Sequence, residues 1–310
     1  MDVFEGSEKK CEAIIDSSRL SLRKLEREFW VEMVVRCEAT ILSEVHNEEC
    51  DAYLLSESSL FVWDDHFLLI TCGQTKLVES ILYFLDKIDT SMVKQLLFQR
   101  KNEYYSEMQH SDFAEDVRRI EERMPGVVVE FGDKNLHYTE LFHLENSYEP
   151  ESDDRTYELL MYGISKQSTE FFMQSDVSIE EVRNFLQLQH MLPDWQIDDF
   201  LFTPCGYSLN AIHRDKYLTI HVTPQQEYSY ISLETNVDLS SIIATPIAIL
   251  QPQSFDLVLY QPESEDEILS KVQGAYDIIQ SQTRIIDCGY AVSFIQCDRK
   301  ASDIDDVLLA

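Results

Sequence analysis

The sequence predicts an α+β protein whose antiparallel strands fall into two sets, each with its own helices. Three observations support this. Many short strand-like runs recur along the 310 residues. Stretches with helical spacing fall among these runs in both halves of the chain. Two segments also resemble each other, SLFVWDDHFLLITC (59–72) and SLNAIHRDKYLTIH (208–221), which suggests two similar halves.

Taken in order, Cys11, Ala13 and Ile15 alternate with polar positions and predict a short strand. Leu22, Leu25, Phe29 and Met33 have helical spacing over 18–36. Strands are expected at 37–45, 52–63 and 66–72. KLVESILYFLDKI (76–88) reads as a helix, and so does 112–123, closed by Met124-Pro125-Gly126. GVVVEFG, NLHYTELFHL and RTYELLMYGIS read as strands. The acidic stretch 145–155 reads as a surface loop and a midpoint break. Ser178, with Glu180 and Glu181 behind it, opens a helix over 178–188. Strands are expected at 198–212 and 216–234, then a helix near 238–250. The strand FDLVLYQ, a helix near 264–280 and a strand near 284–297 complete the chain.

One of these strands is odd. In YLLSESSLFVW (53–63), three serines and a glutamate stand where a buried strand would carry valines. The hairpin register bears on this, because residues equidistant from a two-residue turn face each other. A turn at Asp64-Asp65 pairs Ser58 with Thr71 and Glu57 with Cys72. A turn at Arg214-Asp215 pairs Ser208 with His221. Reactive side chains therefore gather at the far ends of both hairpins. On pattern alone, Ser58 is either a nucleophile or a structural serine. Cys72 is an acid, a thiolate or an inert buried thiol. His221 is a base or a satisfied core histidine. Phe4 and Phe202 are ligand platforms or core.

Composition narrows the function. The net charge is −32 and 44% of residues are hydrophobic, which is globular and acidic. Nucleic acid and anionic membranes need a basic surface, so neither is an expected partner. The N-terminus lacks a signal-peptide core, and no apolar run approaches a membrane span. Seven cysteines without C-x-x-C spacing suggest free thiols in the cytoplasm, with no zinc site. Phosphate-cradling glycine motifs and a G-x-S-x-G elbow are missing.

Several stretches together resemble eukaryotic S-adenosylmethionine decarboxylase. They are FEGSEKK (4–10), AYLLSESSLFV (52–62), LLITCG (68–73), FTPCGYSLN (202–210), TIHVTP (219–224) and YSYISLETN (228–236), in the family's order. The resemblance implies a four-layer α/β/β/α sandwich, internally duplicated, as one domain over 1–310. It implies self-cleavage between Glu57 and Ser58 into a β chain (1–57) and an α chain (58–310). Ser58 would become a covalent pyruvoyl group, with neither metal nor pyridoxal phosphate. Its ketone would take the amine of S-adenosylmethionine as a Schiff base and accept the electrons released with carbon dioxide. The product would be the aminopropyl donor for spermidine and spermine.

By the same resemblance, His221 with Ser208 beside it would serve processing, and Cys72 would return a proton to the substrate. Glu5 and Glu8 would lie near the site. Phe4 and Phe202 would sandwich the adenine, with Leu55 and Glu57 as further contacts. Gln225 stands where the family usually has a glutamate for the ribose, which implies weaker ribose binding. Glu12, Asp154, Thr156, Glu158 and Glu234 match a pocket that binds putrescine in some members. Ile70 replaces a lysine of putrescine-responsive members, and Arg155 is a candidate built-in cation, so activation by putrescine stays open. A homodimer of αβ units is one expected assembly. The alternative function is that of a silent paralogue which activates a true decarboxylase.

Overall fold

Two antiparallel sheets of eight strands lie face to face, with helices on both outer faces. The structure is a computed structural model and describes residues 6, 8–103, 105–146, 148–226, 229–261 and 263–301. The first sheet comprises β1 (Lys9–Ile15), β2 (Ile41–His46), β3 (Asp51–Leu55), β4 (Ser58–Val62), β5 (His66–Thr71), β6 (Val93–Lys101), β7 (Gly126–Gly132) and β8 (Tyr138–Leu144). The second comprises β9 (Thr156–Tyr162), β10 (Gln196–Leu201), β11 (Tyr207–His213), β12 (Lys216–Thr223), β13 (Tyr230–Thr235), β14 (Ser254–Tyr260), β15 (Tyr276–Ile285) and β16 (Ala291–Arg299). Helices α1 (Arg27–Arg36), α2 (Leu77–Lys87) and α3 (Phe113–Glu121) belong to the first half. Helices α4 (Lys166–Phe172), α5 (Ile179–Phe185), α6 (Leu188–Met191), α7 (Ala244–Leu250) and α8 (Glu265–Ser270) belong to the second.

The strand orders are β2-β3-β4-β5-β1-β6-β8-β7 and β10-β11-β12-β13-β9-β14-β16-β15. They are the same order offset by eight, so the duplication lies in the topology itself. The offset also corrects the equivalence suggested by the sequence. The hairpin β4–β5 corresponds in position to β12–β13, not to the similar-looking β11–β12. The acidic loop 145–155 does divide the two halves.

Each sheet buries its outer face under its own helices. Trp30, Met33, Phe67, Phe84, Phe98 and Phe142 fill the core of the first half. Phe172, Val182, Leu233, Ile247 and Phe255 help to fill that of the second. Burying each such side chain contributes roughly 1.5–3 kcal/mol. Between the sheets, Leu97, Phe131 and Leu141 meet Leu160, Tyr260 and Phe294 at one end. Phe61, Trp63 and Ile70 meet Ile212 and Tyr217 at the other. The rest of the inter-sheet layer is polar, and the site lies there.

Several boundaries differ from expectation. The segment 52–63 is two strands with a turn at Ser56-Glu57, and this explains the polar cluster. Helix α1 starts at Arg27, because 22–24 form only a 3-10 turn. The spans 198–212 and 216–234 are each split in two. The expected helix near 264–280 ends at Ser270, and β15 follows. The strand β6 and the helix α4 were not anticipated. β6 is buried on both faces, so it shows no alternation.

Candidate functional site

The β3–β4 turn places Ser58 in an unusual backbone conformation. Its φ is +129°, a region that a side chain disfavours and that costs about 1–3 kcal/mol. The register is the one counted from the turn, with Ser58 opposite Thr71 on β5. Cys72 follows β5 directly, and Gly73 at φ +66° turns the chain away. The Cys72 amide donates to the Glu57 carbonyl oxygen at 3.0 Å, and the Cys72 thiol lies 3.5 Å from the same oxygen. The carbonyl before Ser58 is thus polarised by a fixed donor. Burial raises the pKa of the Glu57 side chain, and the nearby Lys9 ammonium opposes this.

The other sheet supplies the imidazole. Ser208 on β11 pairs with His221 on β12, again as counted. The Ser208 hydroxyl is 2.8 Å from His221 Nδ1. His221 Nε2 faces Ser58 Oγ at 3.0 Å, Ser59 Oγ at 3.2 Å and Thr219 Oγ1 at 2.8 Å. Burial without a carboxylate partner pushes the imidazole down to about 3, so it is neutral near pH 7. Ser59 and Thr219 also bond the buried Asn210 carbonyl oxygen, at 2.6 and 3.1 Å. A hydroxyl, a strained and polarised carbonyl and a neutral base therefore meet at one point. That combination suits intramolecular acyl transfer.

Glu8 lies beside this centre. It accepts a 2.5 Å hydrogen bond from Ser232, the cross-strand neighbour of His221. Burial, reinforced by Glu234 and Glu158, pushes it up to about 8. Phe202 is half-buried and meets Phe200 edge-on at 5.0 Å between ring centres. Gln225 is half-buried after β12. The Leu55 side chain is fully buried in the helix-side core, so only its backbone, opposite Ser58, is near the site. Phe4 and Glu5 lie outside the described residues.

The five residues expected to form a diamine pocket separate into two groups. Glu158 and Glu234 face each other across β9 and β13, and the Lys10 ammonium sits between them. It pairs with Glu158 directly and with Glu234 at 3.4 Å, and it lies 5.0 Å from the Tyr260 ring centre. Gln99 and Tyr217 complete the hydrogen bonding of these carboxylates, each at 2.8 Å. Burial alone would lower the Lys10 pKa, but the two carboxylates raise it above the usual lysine range. Glu12, Asp154 and Thr156 instead line an open cavity of about 660 Å³ with His66 and Tyr148. Burial and Asp154 push Glu12 up to about 7. Tyr148 and Tyr290 both donate to Asp154. Arg155 pairs with Glu263 at the surface. The cation between the buried carboxylates is Lys10, and β1 gave a sign of it. Lys10 and Glu12 alternate along β1 and so share one face, and Glu8 just before the strand keeps the same spacing.

Comparison with known proteins agrees with the fold. The sequence profile described as adenosylmethionine decarboxylase matches residues 1–306. The S-adenosylmethionine decarboxylase proenzyme of Dictyostelium discoideum is 30% identical over 342 aligned positions, covering 99% of this chain and 90% of the relative. That of Drosophila melanogaster is 32% identical, covering 83% and 82%. That of Leishmania donovani is 31% identical, covering 84% and 74%. The crystal structure of a Trypanosoma brucei AdoMetDC-delta26 monomer superposes with a TM-score of 0.61 at 23% identity, covering 78% of this chain and 99% of that one, which supports the fold. With the profile matching nearly the whole chain and relatives of 30% identity or more aligned over most of it, the chain belongs to the adenosylmethionine decarboxylase family.

Proposed function

We propose that the chain is a proenzyme that cuts itself between Glu57 and Ser58 and then decarboxylates S-adenosylmethionine. One observation carries the reading: the Ser58 hydroxyl lies 3.0 Å from a neutral His221 imidazole, beside a carbonyl that already accepts the Cys72 amide. Ser58 Oγ attacks the Glu57 carbonyl carbon, and the charge on its oxygen develops against the Cys72 N–H. The peptide C–N bond breaks, the hydroxyl proton passes to the departing nitrogen, and an ester with a free Ser58 amine is left. His221 takes the Ser58 α-proton, and the ester leaves as the Glu57 carboxylate. Water then releases ammonia from the remaining unsaturated residue, which becomes pyruvoyl. The hydroxyl, the strain, the donor and the base that this conversion needs are all contributed by the residues around Ser58.

Once formed, the group supplies a ketone for the substrate amine and an electron sink for the departing carboxylate. The remaining tasks fall to side chains. The Cys72 thiol holds a proton for the substrate's α-carbon. The Phe202 ring suits both an adenine and a sulfonium. The Gln225 amide offers the ribose a neutral hydrogen bond. Intact mass of the purified protein tests the whole reading. The expected result is two chains, with residues 58–310 blocked at the N-terminus and reactive to hydrazines. A single uncut chain would sink it. The presence of Ser58, Cys72, Ser208 and His221 in one constellation argues against a silent paralogue.

Regulation by putrescine turns on Lys10. Its tethered ammonium occupies the position between Glu158 and Glu234 that one end of a diamine would take. Added putrescine is therefore expected to change self-cleavage and turnover by less than about twofold. Lys10→Met leaves two buried carboxylates unpaired and should reduce both rates about tenfold or more, with partial recovery in millimolar diamine. A wild-type chain strongly stimulated by putrescine would contradict this.

A further inference from the structure

Lys9 has no part in the mechanism above, yet it is almost completely buried, at 2% exposure. It faces the helix side of β1, away from Lys10, and pairs with Thr71 on β5 and Arg100 on β6. Its ammonium has three donors and uses all of them: on Gly73 O at 3.1 Å, on Thr75 O at 3.0 Å and on Gln109 Oε1 at 2.5 Å. Gln109 closes the set by donating to Gly73 O at 3.2 Å. Two of the three acceptors are backbone carbonyls of the turn that follows Cys72. The same turn is tied back by the Thr75 hydroxyl, 3.0 Å from Cys72 O and 2.9 Å from Thr71 Oγ1. A neutral residue could fill this space at lower desolvation cost. A buried cation here calls for an explanation.

We propose that Lys9 is a positioning residue for Cys72. It clamps the Gly73 and Thr75 carbonyls, so the Cys72 amide and thiol stay aimed at the Glu57 carbonyl, and it places a positive charge beside both. Among the described residues, the charged groups near the thiol include Lys9 from β1 and Glu57 from the β3–β4 turn. Behind Lys9 lies Arg100 on β6, which pairs with both Glu103 and Asp116. Among these, Lys9 is the cation whose hydrogen bonds hold the Cys72 turn. The proposal deepens the reading of Glu57–Ser58 as the severed bond and rests on it.

Two measurements test it. In the self-cleaving chain, Lys9→Met should slow the appearance of the cut on a denaturing gel about tenfold, because the amide donor loses its alignment. In the uncut Ser58→Ala chain, alkylation of Cys72 by iodoacetamide, located by peptide mass, should be about tenfold slower near neutral pH in Lys9→Met, with its pH profile moved upward. Lys9→Arg keeps the charge and should restore that profile. If Lys9→Met does not fold, Lys9→Gln carries the same comparison. Unchanged cleavage together with equal or faster alkylation would overturn the proposal, even if thermal stability fell. A wild-type chain that never cuts would instead overturn the reading beneath it, so the two failures are distinguishable.

Discussion

Ser58→Ala should leave one uncut chain of 310 residues with no measurable decarboxylation. The alanine lacks the hydroxyl that attacks the Glu57 carbonyl, so neither the new chain end nor the ketone can form. The change should not harm the fold. Ser58 is held at φ +129°, and relief of its hydroxyl contacts costs only about 1 kcal/mol. The expected result is therefore a normally folded protein, seen by thermal unfolding, that remains intact by mass for days. Cleavage of this variant at the wild-type rate would remove Ser58 from the chemistry.

His221→Ala should slow cleavage by about 10²–10⁴-fold, the range expected for a lost general base. The pH dependence is a second check. Because burial pushes His221 down to about 3, the wild-type cleavage rate should show no histidine inflection between about pH 5.5 and 8. Stability follows with a definite sign. Between the unfolded value near 6.5 and the folded value of about 3, the unfolded chain holds a proton that the folded chain does not. This residue therefore withdraws stability as pH falls through that window, at up to roughly 1.4 kcal/mol per unit. Denaturant titrations of the uncut Ser58→Ala chain, with and without His221→Ala, measure the difference. A rate that rises steeply through pH 6.5 would show that His221 titrates normally and is more exposed than the structure places it.

Much of the site could be read before the structure because strand pairing is a matter of counting. Once the turns at Asp64-Asp65 and Arg214-Asp215 are accepted, Ser58 must face Thr71 and Ser208 must face His221, and both pairs are observed. Counting could not show that the two hairpins meet. That contact is made across the sandwich, and no local pattern encodes it. Nor could it assign the lysines of β1. A lysine in a strand is ordinarily solvent-facing, whereas Lys9 and Lys10 are both buried, on opposite faces, each held by acceptors from distant segments. The hairpin resemblance misled in one respect. Similar sequence joined β4–β5 to β11–β12, while the sheet order shifts the match by one strand. Shared turn chemistry explains the likeness without common position.

The offset strand order has a further consequence for the cell. On the proposed reading, one half of the chain carries the bond to be broken, and the other carries the imidazole that helps break it. Neither half can make the cut until the two sheets have docked with their polar layers in register. Self-cleavage by this route would act as a quality check built into maturation. A misassembled molecule stays whole and inert, and only a correctly assembled one is armed.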